Sequence, residues 1–300
     1  MAEKIGFWMY KVYDGDVLQE RIIERIKARG IEVERVDLDK AVIKEGKVLV
    51  SGRRVDNLSL FFFYELFDFK QGLIMPYQYM VLQALARSMP IVNPIDALLL
   101  TENKFLSNLV FEQAGLRVPP AILTSQQTDE LINALESWGS LVLKPIFTYG
   151  GHGSIRVESK EQLSNILERL SGFEDRFYAE KFIPNEHWDC RIDLVDGQIV
   201  SYYGRRARPG SWRSNIGSGG ETFKIEPSKE MKEMACQAFQ ASGLVLGGVD
   251  IIESKSRELY LLEINGVSRM GDLRDEREGI CDNEPKIEAI ANYIKKALSR

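Results

Sequence analysis

Short apolar runs separated by helically spaced segments constrain the first third of this chain more than any other feature. Residues 5–9 form one such run, residues 17–29 set Val17, Leu18, Ile22, Ile23 and Ile26 at helical spacing, and Gly30 falls where a helix takes its left-handed end residue. Residues 31–36 read as a second strand. Residues 42–50, broken by Lys44-Glu45-Gly46-Lys47, read as a hairpin, and 58–64, with three phenylalanines in a row, as a buried strand. Residues 76–87 return to helix. Alternation of this kind predicts a parallel sheet covered by helices. No GxGxxG follows the first strand, so the dinucleotide fingerprint is absent.

The pattern changes at Asn93-Pro94. A helical pair over 95–100 and 102–114 is closed by Gly115 and then by Pro119-Pro120, which places a domain boundary near residue 93. Beyond it the sequence predicts a strand at 141–145, a glycine-bearing loop at 147–153, a strand at 154–157, a helix at 160–170 and a strand at 177–183. Strands at 190–195 and 198–205 are joined by Asp196-Gly197, a favoured hairpin dipeptide. A helix at 228–242, strands at 248–252 and 259–265, and a helix at 285–298 complete the chain.

Three hundred residues exceed one ordinary core, so two or three packed subdomains are expected. Hydrophobic residues at 44% and charged residues at 28% exclude a disordered or fibrous chain. With 39 basic against 44 acidic residues, the net charge of -5 gives no bulk attraction to nucleic acid, so any anion site is local. Cys190, Cys236 and Cys281 are too far apart in sequence to suggest a disulfide framework or a zinc site, which favours a reducing compartment. The leading apolar run is too short for a signal segment, and nothing approaches the ~18 apolar residues of a membrane span. A soluble, cytoplasmic protein is the expectation.

Three constellations carry chemistry. Lys144 precedes the loop Phe147-Thr148-Tyr149-Gly150-Gly151-His152-Gly153, where glycines let backbone N–H groups approach a phosphate and the lysine adds a point charge. Taken alone, such a loop is more readily a plain hairpin. Asp250 on one strand and Glu263 with Asn265 on the next offer oxygen ligands without histidine or cysteine, the set that suits Mg²⁺. Carboxylates at strand ends are often just solvated, but Leu259-Tyr260-Leu261-Leu262 marks this strand as buried. Finally, Arg205, Arg206, Arg208 and Arg213 occupy nine residues that hold no acid, a patch suited to phosphates and carboxylates. Trp212 is the single aromatic among them, which argues against RNA.

In order, these segments resemble the ATP-grasp ligases, and most closely the RimK-like branch. The resembling residues are Asn93-Pro94 ahead of Lys104, Leu143-Lys144, Gly150 to Gly153, Ala179-Glu180-Lys181-Phe182-Ile183, Asp189-Cys190-Arg191, Arg205-Arg206, Trp212-Arg213-Ser214-Asn215 with Gly219-Gly220, Gly248-Val249-Asp250 and Leu262-Glu263-Ile264-Asn265. The resemblance implies an ATP-grasp fold: an α/β pre-ATP-grasp domain over 1–92, a central subdomain with the glycine loop over 93–183, and an α+β C-terminal subdomain with the metal site over 184–300. It implies that Lys104 and Lys144 hold the α- and β-phosphates, that Gly150, Gly151 and Gly153 close over the triphosphate, and that Glu180, Lys181, Phe182 and Ile183 form the hinge against adenine. Asp189 would contact the ribose, and Arg213 and Asn215 the γ-phosphate and substrate. Asp250, Glu263 and Asn265 would hold two Mg²⁺ ions, or Mn²⁺ in their place.

The implied activity is an ATP-dependent carboxylate–amine ligation. A carboxylate takes the γ-phosphoryl group, giving ADP and an acylphosphate. An amine then displaces phosphate, with Arg191, Arg205 or Arg213 stabilising charge on the acyl oxygen. L-glutamate is the favoured amine, and the acceptor is a small cofactor-like acid or a protein terminus. The family often forms dimers or tetramers; neither nucleic acid nor membrane is implied as a partner. A non-catalytic ATP-binding regulatory module of the same fold is the alternative, weakened by the full set of lysines, arginine and metal residues. The segment from Gly266 to Gly279 departs from the family pattern. There Arg269 and Arg274 either receive an α-carboxylate or belong to a solvated turn with Asp272, Asp275, Glu276 and Arg277.

Overall fold

The structure is a computed structural model that describes residues 3–8, 15–63, 76–125, 128–147, 151–170, 176–266 and 271–299. Its first layer is the parallel sheet that the alternation predicts. Strand β1 (Lys4–Trp8) leads into α1 (Gly15–Lys27) and β2 (Glu32–Val36), and the antiparallel β3 (Ala41–Lys44), β4 (Lys47–Val50) and β5 (Arg53–Arg54) form a small separate sheet. After β6 (Leu60–Phe63), α2 (Pro76–Ala86) and β7 (Ile91–Val92), the parallel sheet is complete in the order β2-β1-β6-β7. Alternate residues explain its continuous apolar runs. Ile5, Phe7, Leu60 and Phe62 pack on the α1 side, while Trp8, Phe61 and Phe63 pack on the α2 side.

Helices α3 (Ile95–Glu102) and α4 (Lys104–Gln113) meet at Asn103, whose side chain accepts from the Leu106 N–H and so caps α4. Then come β8 (Ala121–Ser125), α5 (Thr128–Trp138), β9 (Leu141–Lys144), β10 (Ile155–Val157), α6 (Lys160–Leu170) and β11 (Arg176–Lys181). The four strands form an antiparallel sheet in the order β10-β9-β11-β8. Leu141, Leu143, Phe177 and Ala179 face Leu131, Leu135, Leu163 and Leu167 of α5 and α6. By alternation, Val142, Lys144, Tyr178 and Glu180 face the other way. The sequence reading missed β8 and α5. Strand β8 lies at the sheet edge and is half exposed, so it lacks a clear alternating pattern.

The last sheet contains β12 (Trp188–Val195), β13 (Gln198–Arg206), β14 (Glu221–Phe223), β15 (Leu246–Glu253) and β16 (Leu259–Asn265), ordered β14-β13-β12-β15-β16. Asp196 at φ 50 and Gly197 at φ 78 make the tight hairpin expected between β12 and β13. One face of this sheet, with Cys190, Ile192, Leu194, Val249, Ile251 and Ile264, packs on α7 (Lys229–Ser242) through Met231, Ala235, Ala238 and Phe239. Helix α7 begins at Ser228, which accepts from the Met231 N–H at 3.2 Å. The short α8 (Leu273–Arg277) and the closing α9 (Glu284–Leu298) return to the first layer. There Ile287, Ile290, Ala291 and Ile294 join the core beneath α1.

One polar side chain stitches the layers together. Asn93 is 2% exposed, and its Nδ2 donates to the carbonyls of Leu246 at 2.6 Å and Gly266 at 2.5 Å. Its Oδ1 accepts from the N–H groups of Val245 at 2.8 Å and Leu246 at 2.7 Å. Among the described residues, no helix is long and apolar enough to cross a membrane.

Candidate active site between the two antiparallel sheets

Strand register fixes which side chains share the face opposite α7. Asp189 pairs with Arg205, Arg191 with Asp250, Asp250 with Glu263, and Gly248 with Asn265. Directly opposed residues of an antiparallel pair point the same way. Asp189, Arg191 and Asp193 of β12 therefore join Arg205 of β13, Asp250 of β15, and Glu263 and Asn265 of β16 on one polar face. Between this face and the polar face of the central sheet runs a cleft. Lys104, Lys144, Glu180, Phe182 and Ile183 line one side, and Asp189, Arg205, Arg213, Asn215, Asp250 and Glu263 line the other.

On the first wall, Glu180 is almost buried and accepts from Lys144 Nζ at one oxygen and from the Tyr178 hydroxyl at the other, 2.7 Å away. Burial, reinforced by the Glu180 charge, pushes the Tyr178 phenol well above its usual range, so it stays a donor. Lys104 opens α4; burial lowers its pKa, against the opposing pull of Glu263. Phe182 follows β11, with the Arg156 guanidinium 3.9 Å above its ring and the Trp212 ring edge-on at 6.0 Å. Sequence reasoning missed Arg156 and Tyr178, for neither has a local signal.

On the opposite wall, Arg191 Nη1 donates to Asp250 Oδ1 and Arg205 Nη2 reaches Asp250 Oδ2, each at 2.8 Å. Arg205 Nε also donates to Asp189 Oδ1 at 2.7 Å, and the Ser214 hydroxyl donates to the other Asp189 oxygen. Burial opposes ionisation of both acids. Arg205 and Arg191 overcome it at Asp250, whose pKa is lowered, whereas Asp189 is raised by burial and by the Asp250 charge. Gly248 makes the arrangement possible, since a Cβ there would lie 2.2 Å from the Arg191 guanidinium.

Gly151, at φ +72, abuts Asn215, and its carbonyl accepts from Arg213 Nη1 at 3.3 Å. Glycine loop and arginine loop therefore touch. Lys181 lines the cleft, while Gly153, Arg191 and Asn265 stand just outside its lining. Gly150 and Arg269 lie outside the described residues. The arginine patch is not one surface. Strand alternation turns Arg205 inward and sends Arg206 to the opposite face, over Phe223 at 4.7 Å. The segment near Arg274 is not simply a solvated turn either. Asp275 is buried and accepts from the Thr222 hydroxyl at 2.7 Å, and Glu276 pairs with Arg21 at 2.8 Å, whereas the Arg274 side chain is 66% exposed.

Among the described residues, no group of three His, Cys, Asp or Glu side chains is arranged to hold a metal. The candidate set is mixed, two carboxylates and an amide. Asn265 Nδ2 donates to Glu263 Oε1 at 3.2 Å, which leaves the amide oxygen and the second Glu263 oxygen for a cation. Asp250 keeps spare lone pairs on both oxygens beside its guanidinium contacts. All-oxygen donors of this kind fit a hard divalent ion.

A parallel sheet followed by two antiparallel sheets that clamp a lysine-lined, acid-floored cleft defines an ATP-grasp enzyme. Residues 101–281 match the RimK-like ATP-grasp domain, and the chain belongs to that family. It is 33% identical over 226 residues, 73% of this chain and 76% of the relative, to the tetrahydromethanopterin:alpha-L-glutamate ligase of Methanocaldococcus jannaschii. Its fold is similar to that of the D-cycloserine synthetase DcsG, with a TM-score of 0.75 at 13% identity over 98% of this chain and 99% of that one. It is also similar to the ATP-grasp ligase PsnB complexed with minimal precursor, Mg and ADP, with a TM-score of 0.70 at 18% identity over 99% and 98% of the two chains. The protein is an ATP-grasp ligase, of a family that uses ATP and Mg²⁺.

Proposed function

We propose that this protein joins L-glutamate to the carboxylate of a small, cofactor-like acid, with ATP consumed to ADP and phosphate. The observation that carries the reading is the facing of Lys104 and Lys144 on one wall by Asp250 and Glu263 on the other. Lysines at that position hold the α- and β-phosphates as point charges. The hinge after β11, with Phe182 under Arg156, takes the adenine, and Asp189 the ribose. Asp250, Glu263 and Asn265 hold two Mg²⁺ ions. Bound there, the metal neutralises charge on the transferring phosphoryl group.

The residues of the chain then divide the work. Arg213 and Asn215, next to Gly151, orient the γ-phosphate toward the acceptor carboxylate. Attack by a carboxylate oxygen on the γ-phosphorus breaks the bond to the β-phosphate and leaves ADP and an acylphosphate. The glutamate amine attacks the acyl carbon and phosphate leaves. Arg205 and Arg213 donate to the acyl oxygen as charge builds on it. Arg191 acts from behind Asp250. The glycine loop covers the site against water. In this reading residues 1–92, 93–183 and 184–300 act as separate subdomains, the last two closing on the nucleotide, and the enzyme works in the cytoplasm, in keeping with its free cysteines.

Glutamate is favoured because the Methanocaldococcus relative is a glutamate ligase. The test is to incubate the purified protein with ATP, Mg²⁺, glutamate and a panel of pterin-like and other acids, and to follow ADP and phosphate. ADP release that needs both acid and amine supports the reading. AMP and pyrophosphate instead would overturn the acylphosphate step, and ATP binding without ADP for every pair would point to a regulatory module.

A further inference from the structure

A buried lysine outside the cleft takes part in a continuous row of charges that ends in it. Lys286, near the start of α9, is 1% exposed, and its Nζ donates to Asp193 Oδ2 at 2.9 Å. Asp193 Oδ1 accepts from Arg191 Nε at 2.9 Å, and Arg191 Nη1 passes on to Asp250. Arg205 continues from Asp250 to Asp189. Cations and anions alternate along Lys286, Asp193, Arg191, Asp250, Arg205 and Asp189, and the row sums to zero charge.

Burying an ammonium group costs several kcal/mol, and replacing a whole buried ion pair by well-packed apolar side chains is often neutral or stabilising. Stability alone therefore does not account for Lys286. The row gives it another part. A guanidinium is a rigid plane, and Arg191 spans two carboxylates whose pull decides where it sits. Lys286 satisfies one oxygen of Asp193 and so limits the claim of Asp193 on Arg191. Helix α9 is itself held in register from its outer side, by Arg21 on Glu284 at 2.5 Å and Arg25 on Glu284 at 2.8 Å, with Arg29 on Glu288.

We propose that Lys286 is a positioning residue for Asp250, acting through Asp193 and Arg191, so that α9 ties the N-terminal layer to the phosphoryl-transfer face. Without the ammonium, Asp193 draws the guanidinium toward itself and Asp250 loses the contact that aims its free lone pairs. The inference rests on the reading that Asp250 shares a metal with Glu263.

The experiment compares the full-length wild type with Lys286→Met and with the double variant Lys286→Met/Asp193→Asn. Calorimetry measures ADP binding in Mg²⁺ and in EDTA, and kcat is taken per ADP-binding site. Lys286→Met lowers kcat about tenfold or more and reduces the gain in ADP affinity that Mg²⁺ provides, while affinity in EDTA stays within about twofold. The double variant recovers most of kcat, because Asp193→Asn keeps the acceptor for Arg191 and removes the surplus charge. If Lys286→Met fails to fold, Lys286→Gln, which keeps an N–H donor without the charge, replaces it with the same expected loss. An unchanged kcat per site and an unchanged Mg²⁺ effect, whatever happens to thermal stability, overturn the inference. Full activity of Glu263→Ala would instead overturn the metal reading beneath it.

Discussion

Glu263 stands directly across from Asp250 in the antiparallel ladder of β15 and β16, and the register slips just beyond, between Asp250 and Ile251. Two like charges side by side on a sheet repel. Asp250 is compensated from its far side by Arg191 and Arg205, and Lys104 pulls on Glu263, so a divalent ion shared by the two acids would add the compensation that remains. The amide of Asn265 completes the Glu263 side.

Glu263→Ala should therefore abolish ligation while leaving the fold intact, since Glu263 is part of the cleft lining and not of the core. A loss of several kcal/mol of charge stabilisation corresponds to at least about a thousandfold in kcat. ADP binding in EDTA should persist. A near-normal rate in the coupled ADP-release assay refutes the assignment.

Gly248→Ala tests the packing of the polar face. The added methyl would stand 2.2 Å from the Arg191 guanidinium, so Arg191 must move. Overpacking of this kind costs about 1–3 kcal/mol. Both a lower urea midpoint and a drop in kcat are expected, and an unaltered kcat in a folded variant would separate Arg191 from the chemistry.

Asn93→Ala removes a side chain that serves two carbonyls and two N–H groups in a buried place. Leaving those groups without partners should cost about 2–4 kcal/mol. Equilibrium denaturation would read it, and a change below about 0.5 kcal/mol would show that the stitch is dispensable.

Acid should loosen the clamp between α1 and the C-terminal segment. The Arg21 hydrogen bond lowers the Glu276 pKa below its ordinary 4.5. A carboxylate depressed in the folded state contributes stability that is fully present above the unfolded value and is lost as pH falls through the folded one. The urea midpoint should thus fall as pH drops below 4.5, and less steeply in Arg21→Ala. Parallel acid limbs in the two proteins would contradict this.

Much of the fold was legible because its signals are local. Gly30 and Ser228 mark helix ends, Asp196-Gly197 closes a hairpin, and the first strands carry the continuous apolar runs of a sheet covered on both sides. The alternation Asp189-Cys190-Arg191-Ile192-Asp193 likewise sets three charged residues on one face whatever the partner strands are. Strand β8, half exposed at an edge, offered no comparable pattern.

What the sequence by itself determined was the element pattern, the family and the kinds of groups gathered for phosphate and metal. Only the tertiary structure decided their pairing. Strand order put Arg191 and Arg205 together on the side of Asp250 away from Glu263, and the packing of α9 brought Lys286 to Asp193 across 93 residues of chain. Periodicity fixes the face on which a charge lies, because it is a property of a single strand. Which opposite charge lies within 3 Å depends on which strands and helices pack together, and that is settled by burial over the whole molecule.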